Sequence, residues 1–281
     1  MNYNQITIGI VCFKSEKVIF DCLKSIKKIK KIIILDNSND INLKKIVKKK
    51  YPSIKFILSK KNLGYGSGNN LIIKNTKTPY VFILSPDVIL KKDCEKNLLK
   101  VADNLKKNFS ILSPISTKNN QKFNPSFNNK KKTFEAEYVK GFAMLLNKKK
   151  IIKLGMFDEN IFLYLEEIDL CRRVKKANQK IYVTKNAKVL HLGAKSSNIG
   201  NEFEKCRNWH WMWSQFYFKK KFSNYFLAII KFLPKIFLLI LKVLFYSLFL
   251  KKNKFVNSKM RLSGLFNAMI GKSSWYRPKI I

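Results

Sequence analysis

The chain has 281 residues, 46% of them hydrophobic, enough for one large α/β domain with a tail or for two small domains. Its charge is lopsided, with 57 Lys and Arg against 17 Asp and Glu, a formal +40 that draws anionic partners such as nucleic acid, phospholipid or a phosphorylated substrate. Only five of those cations are Arg, the residue that reads bases and clamps phosphates in a plane, which argues against a dedicated nucleic-acid reader.

Enrichment of Lys together with Ile and Asn also fits a plain bias of coding composition, with the lysines on a solvated surface. Cys12, Cys22, Cys94, Cys171 and Cys206 are scattered without a CxxC pair, the usage expected of free thiols in a reducing compartment. The opening "MNYNQITIGIVCF" has neither a basic start nor a long apolar run, so it reads as a first strand and not as a signal peptide.

In chain order, "ITIGIVCF" (6–13) predicts a strand and "VIFDCLKSIKKI" (18–29) a helix. "KIIILDN" (31–37) predicts a strand, "INLKKIVKKKY" (41–51) a helix and "IKFIL" (54–58) a strand. "GSGNNLIIKNT" reads as a helix start and "YVFIL" (80–84) as a fourth strand. Continuous apolar strands alternating with helices predict a parallel sheet buried on both faces, with ligands outside the carboxyl ends of the strands. Asp36 and Asp87 stand at such ends. Residues 110–135 read as polar loop, 137–147 as strand, 166–178 as helix, and "KIYVT" and "KVLHLG" as two short strands.

The stretch 224–252 is strongly apolar, broken by Pro234 and by Lys231, Lys235 and Lys242. At ~100° per residue these lysines fall within about 40° of one another. A narrow cationic stripe on an apolar helix predicts a helix lying on an anionic membrane surface without crossing it, the lysines reaching the headgroups. A spanning hairpin and packing in a soluble core or an oligomer are the other readings. The predicted division is 1–222 and 223–281.

Several short stretches carry chemistry. Gly64, Gly66 and Gly68 follow a strand, but Asn69 stands where a dinucleotide fingerprint needs Gly, and no Gly-Lys-Ser/Thr follows. Asp36 fits an Asx turn or cap as well as a ribose or base contact. Asp87, after Pro86, fits a turn or an oxygen ligand for a hard cation beside a diphosphate. His191 is structural unless it meets Asp87. Glu166, Glu167 and Asp169, at a helix start, fit dipole compensation or a general base for an acceptor hydroxyl.

Taken in order, strand-DNxS, NxGxGxGxN, strand-SPDV, GxFDExxFxYxEExDLCxR and HxG resemble the inverting family-2 glycosyltransferases of the GT-A fold, near their rhamnosyltransferase-like branch. The resemblance spans about residues 5–200. It implies an α/β fold of GT-A type, a Rossmann-like, mixed, mostly parallel sheet flanked by helices, here followed by a C-terminal apolar amphipathic helical tail. It implies that Cys12, Phe13, Asp36, Asn62, Gly64 and Asn69 hold the donor nucleotide. It further implies that Asp87 and His191 hold Mg²⁺ or Mn²⁺, and that Glu167 is the base. Glu166, Asp169 and Arg172 would orient the helix or the acceptor. Ser85-Pro86-Asp87 keeps only the last acid of the DxD-like element, and Glu167 stands where Asp is commoner. The implied activity is transfer of a sugar, rhamnose from dTDP-rhamnose foremost, to a glycan or lipid-linked acceptor. The implied setting is the synthesis of bacterial lipopolysaccharide or another surface polysaccharide, peripheral on the cytoplasmic face of the inner membrane. The competing expectation is a catalytically inactive module of the same fold that binds membrane or nucleic acid through its basic surface.

Overall fold

The computed structural model describes residues 1–117, 130–193, 196–197 and 200–278. Strand β1 (Ile6–Cys12) is buried along its whole length, as a central strand covered on both faces must be. It pairs in parallel with β2 (Ile32–Asp36) on one side and β4 (Tyr80–Leu84) on the other, and β3 (Lys55–Leu58) extends the parallel half beyond β2. The crossovers are α1 (Glu16–Ser25), α2 (Ile41–Lys50) and α3 (Tyr65–Asn75).

Beyond β4 the sheet becomes mixed. Strand β8 (Ala143–Asn147) runs antiparallel to β4 and to β6 (Ile111–Ser116), which in turn lies parallel to β9 (Ile181–His191). Strands β5 (Val88–Leu90) and β7 (Thr133–Glu135) both pair antiparallel with β9. Helices α4 (Cys94–Asn104), α5 (Lys148–Lys153) and α6 (Glu166–Lys176) complete the layers. One face of the sheet packs Ile6, Ile8 and Ile10 with Ile19, Val47 and Leu98; the other packs Val11, Ile33 and Ile83 with Ile72, Ile151 and Leu170. Gly9 lets α3 approach β1, since a Cβ there would lie 2.6 Å from Ile72 Cγ2.

Three expectations change. Residues 111–116 and 133–135 are strands inside the span read as loop; Pro114 disguised the first, and the register of β6 against β9 shifts just after it. The remainder of that loop, 118–129, lies outside the described residues. The strand read over 137–147 begins only at Ala143. The two short strands after α6 are one, β9, whose extra residues at the same register shift mimic a break.

The chain divides into two compact units, Met1–Asp158 with Glu167–Asn198, and Glu159–Glu166 with Ile199–Ile281. The boundary read at 222/223 therefore falls inside the second unit. There α7 (Gly200–Phe222), α8 (Tyr225–Leu248) and α9 (Lys252–Met269) share a core of Trp209, Trp213, Phe216, Phe232, Leu239 and Leu265. Much of the aromatic run 209–218 is thereby packing, although Trp211 stays exposed. At Gly264 the backbones of α7 and α9 nearly touch, for a Cβ there would meet the Trp209 carbonyl oxygen at 2.1 Å. Pro234 lies within α8 without ending it. The lysine stripe is turned differently from expectation. Lys231 is exposed, but Lys235 and Lys242 are only partly so, and Lys235 donates from Nζ to Gln215 Oε1 at 2.9 Å. Among the described residues no helix is long and apolar enough to cross a membrane.

Candidate active site

The polar residues of the first unit gather where its parallel strands end. Cys12 pairs in register with Asp36, and Asp36 with Leu58. Asp36 is fully buried, and its two carboxylate oxygens accept from the Ser38 hydroxyl and the Asp40 backbone N–H, both at 2.7 Å. That is the turn-forming role read as one option for this residue; each oxygen retains a further lone pair. The Cys12 thiol is pushed well up by burial and then by the charge of Asp36, which keeps it neutral and unreactive. Phe13 is partly exposed, and its N–H is held by Ser15 Oγ at 3.0 Å.

The glycine-rich stretch is a built turn. Gly64 precedes α3 with φ +81° and ψ −176°, a conformation essentially restricted to glycine. Asn62 Oδ1 accepts from the Gly64 N–H at 3.0 Å, and Asn37 braces the same turn, donating to the Gly64 carbonyl at 3.1 Å and accepting from the Leu63 N–H at 3.2 Å. Asn69 is fully buried on α3. Its Nδ2 donates to the Tyr65 carbonyl at 3.0 Å, and its Oδ1 has no hydrogen-bond partner among the described residues. The bond to Tyr65 ties Asn69 to the first turn of α3, directly after Gly64.

Asp87 and His191, far apart in sequence, come together because β5 pairs with β9 and sets Val88 opposite His191. His191 Nε2 lies 3.5 Å from Asp87 Oδ1, with Asp87 buried and His191 partly open. Two donors at that separation can touch one ion at the ~2.1 Å distance that Mg²⁺ prefers, and such an ion commonly completes its shell with phosphate oxygen and water. Among the described residues no group of three or more His, Cys, Asp or Glu side chains is placed to hold a metal by itself. The pair therefore fits a cation that a diphosphate helps to bind.

Phe142 and its neighbour Gly141 connect this pair to Glu167. The Phe142 ring stacks on His191 with centroids 4.7 Å apart, and the Phe142 carbonyl accepts from the Ser85 N–H at 2.9 Å. Next to it, Gly141 lies against Glu167: a Cβ on Gly141 would be 3.5 Å from Glu167 Cβ and 3.4 Å from the Tyr65 ring. The Tyr65 hydroxyl, from the start of α3, donates to the Gly141 carbonyl at 2.5 Å. The glycine turn, the Asp87–His191 pair and Glu167 thus meet through the 140–142 segment. The sequence reading treated that segment as mere strand and missed Tyr65, Lys140, Gly141 and Phe142. An aromatic-rich Lys-Gly-Phe before a strand was its only signal.

Glu167 is partly buried near the start of α6. Burial raises its carboxyl above the usual carboxylate range, while backbone N–H groups, that of Gly141 among them, and the Lys140 charge pull the other way. Glu166 is buried and belongs to the second unit. Asp169 is also buried and is engaged by Arg173, whose Nε and Nη2 each lie 2.7 Å from its Oδ2. Arg173 also donates to the Leu154 and Met156 carbonyls at 2.6 and 2.5 Å. Arg173 thus engages Asp169, while Arg172 stands exposed. Asn70, another residue the sequence reading passed over, exchanges two bonds of 2.9 Å with the Phe157 backbone and holds the same 154–158 segment against α3.

A mixed α/β unit whose strand ends collect a glycine turn, a carboxylate–histidine pair and a base-like carboxylate belongs among proteins that handle phosphorylated ligands at a sheet edge. The family is decided by comparison. The model of "Glycosyl transferase family 2" matches residues 7–169, more than half of the chain, and the protein belongs to that family. It is similar to the low-salt glycan biosynthesis hexosyltransferase Agl10 of Haloferax volcanii, 25% identical over 200 residues that cover 63% of this chain and 64% of the relative. It is also similar to the rhamnosyltransferase WbbL of Escherichia coli K12, 24% identical over 213 residues, 64% of this chain and 78% of the relative. The chain thus spans just under two thirds of Agl10 and rather more of WbbL. Among solved structures, the mannosyltransferase PcManGT of Pyrobaculum calidifontis, in complex with GDP-Man and Mn²⁺, aligns with 94% of this chain and 87% of its own at TM-score 0.59 and 9% identity. TarS of S. aureus aligns with 74% of this chain and 39% of its own at TM-score 0.56 and 16% identity. These likenesses give the GT-A fold.

Proposed function

We propose that this glycosyltransferase moves a hexosyl residue, rhamnose from dTDP-rhamnose foremost, to a glycan or lipid-linked acceptor with inversion at the anomeric carbon. The observation that carries this reading is Glu167: one partly buried carboxylate, raised by burial and set against Gly141, on the sheet edge that also brings Asp87 to His191. A carboxylate whose pKa is raised by burial takes a hydroxyl proton more readily than an ordinary one. In the proposed step the acceptor oxygen bonds to the anomeric carbon while the bond from that carbon to the diphosphate oxygen breaks. The acceptor's proton passes to Glu167, and the nucleoside diphosphate leaves with the bonding electron pair.

The turn of Asn62 and Gly64, with Asn69, Asp36 and the 12–13 segment, is proposed to seat the nucleotide, and Asn37 keeps that turn in shape. Asp87 and His191 would hold Mg²⁺ or Mn²⁺, which when bound neutralises charge on the departing diphosphate. The names of the two curated relatives support hexosyl transfer, and one of them supports rhamnose. A lipid-linked acceptor for a surface polysaccharide and a place on the cytoplasmic face of the inner membrane complete the proposal.

A panel of nucleotide sugars, assayed for binding and slow hydrolysis with and without Mn²⁺, tests it. Turnover of one nucleoside-diphosphate hexose, stimulated by Mn²⁺, is expected, with dTDP-rhamnose the first candidate. Salt-sensitive binding of nucleic acid with no turnover of any donor would favour the inactive module instead.

A further inference from the structure

The second unit shows its apolar side chains outward. Phe226, Ile230, Leu233, Phe237, Leu241, Leu244 and Leu248 recur every three or four residues, so they form one ridge along α8, and every one of them is exposed, Phe237 at 66% and Leu248 at 81%. The inward side of the same helix carries Ala228, Phe232 and Leu239, with Lys235 and Lys242 partly covered beside them. Lys235 is engaged with Gln215 of α7, and its ammonium is pulled below its usual range first by burial and then by Arg261 and Lys231. A water-facing helix has the opposite arrangement, and a continuous exposed ridge of this kind marks an interaction surface.

The charge around the ridge selects the occupant. From residue 205 to 281 the sequence holds sixteen Lys and Arg and no Asp or Glu. Exposed lysines stand before α8 at Lys220 and Lys221, along it at Lys231, and after it at Lys251, Lys252 and Lys254. A second copy of this chain would bring the same lysines against the same lysines around an apolar contact, which like charge opposes. A bilayer with anionic headgroups offers hydrocarbon for the ridge and negative charge for its ends. The helix cannot cross, because it is not apolar enough and its other side is committed to the unit's own core.

The geometry points to the outward ridge of α8 as a monotopic membrane-docking face, inserted into one leaflet of an anionic bilayer, with the lysines at its two ends on the headgroups. This inverts the sequence expectation, in which the stripe of Lys231, Lys235 and Lys242 supplied the headgroup contact; here Lys235 belongs to the interior side and the apolar ridge faces the lipid. The face lies wholly in the second unit and does not depend on the transferase chemistry.

Flotation of the full chain with phosphatidylcholine vesicles, with and without phosphatidylglycerol, is the test. The wild type is expected to float with the anionic vesicles. The triple variant Phe237→Ser, Leu241→Ser, Leu244→Ser should lose on the order of a hundredfold in partitioning to both kinds of vesicle. Replacing Lys251, Lys252 and Lys254 by Gln should cost roughly fivefold per lysine on the anionic vesicles and nothing on the neutral ones. A bimane label on Leu244→Cys should shift to the blue with anionic vesicles, while one on Lys49→Cys of α2 should not, an arm that needs no disruptive substitution. Unchanged flotation of the serine variant, or no shift at position 244, overturns the proposal. So does a wild-type dimer that ignores vesicles and falls apart in the serine variant, because a second copy would then cover the ridge.

Discussion

The two units of this chain treat apolar side chains in opposite ways. Among the described residues, the first unit exposes only Ile41, Ile46 and Ile152 of its large hydrophobic side chains, whereas the second exposes eighteen. The second unit is also the more aromatic, holding all four Trp, and has no Asp or Glu after Glu204, so composition and architecture act together. A sheet with helices on its faces has two large flat surfaces to fill, and strands such as β1 vanish into them. Three helices sharing one small core around Trp209 and Phe232 leave the far side of α8 exposed among the described residues. Apolar content thus builds a platform for chemistry in one unit and a surface for contact in the other.

The largest effect expected in the first unit is on Glu167, the base proposed for it. Glu167→Gln should lower transfer by about a thousandfold while leaving donor affinity within a few-fold, as steady-state turnover and calorimetric donor titration would show. Near-normal turnover would pass the role to Glu166 or Asp169. Next comes the cation pair: Asp87→Asn should weaken Mn²⁺ affinity, read by titrating Mn²⁺ in the presence of the nucleoside diphosphate. The loss should be at least the ~10–100-fold that even an outer partner of a metal site is worth. An unaltered Mn²⁺ dependence would separate Asp87 from the cation.

The second unit should answer to packing instead. Gly264→Ala puts a methyl group against the Trp209 carbonyl and should cost about 1–3 kcal/mol by denaturant unfolding, with donor binding unaffected. Equal loss of donor binding would show that the two units do not behave as the comparison requires.

The smallest effect is on stability and returns to Glu167. Its folded pKa lies above its unfolded value because of burial, so its favourable contribution is present at acid pH and is lost as pH rises through the folded pKa. Glu167→Gln, which resembles the protonated form, should therefore melt slightly higher than wild type at neutral pH. The two should converge below about pH 4, under the ordinary Glu range. A gain that grows toward acid pH would reverse the sign and contradict the burial argument.

Most of the parallel half was readable because its strands are unbroken apolar runs separated by helical spacing, and α1 to α3 fall close to where the pattern put them. Asp87 and His191 were each legible as a strand-end residue, and their 3.5 Å approach followed from pairing that no local pattern displays. Strand β6 was hidden by Pro114, and α4 passed unread although its buried Glu95 accepts from the backbone N–H groups of Lys27, Lys28 and Ile29. Tyr65 and Gly141 were invisible because their role lies in a contact between α3 and the 140–142 segment. The lysine spacing on α8 was legible as a stripe; which side of the helix faces protein depends on α7 and α9, whose packing draws Lys235 inward and leaves Lys231 exposed.

The central claim is that one carboxylate, Glu167, serves a single displacement at the anomeric carbon. It is tested most directly by ¹H NMR of the first-formed product with the donor that turns over, recorded before the free sugar can equilibrate. The account predicts an anomeric configuration opposite to that of the donor. Retention of configuration would require two displacements or a different route, and would contradict it.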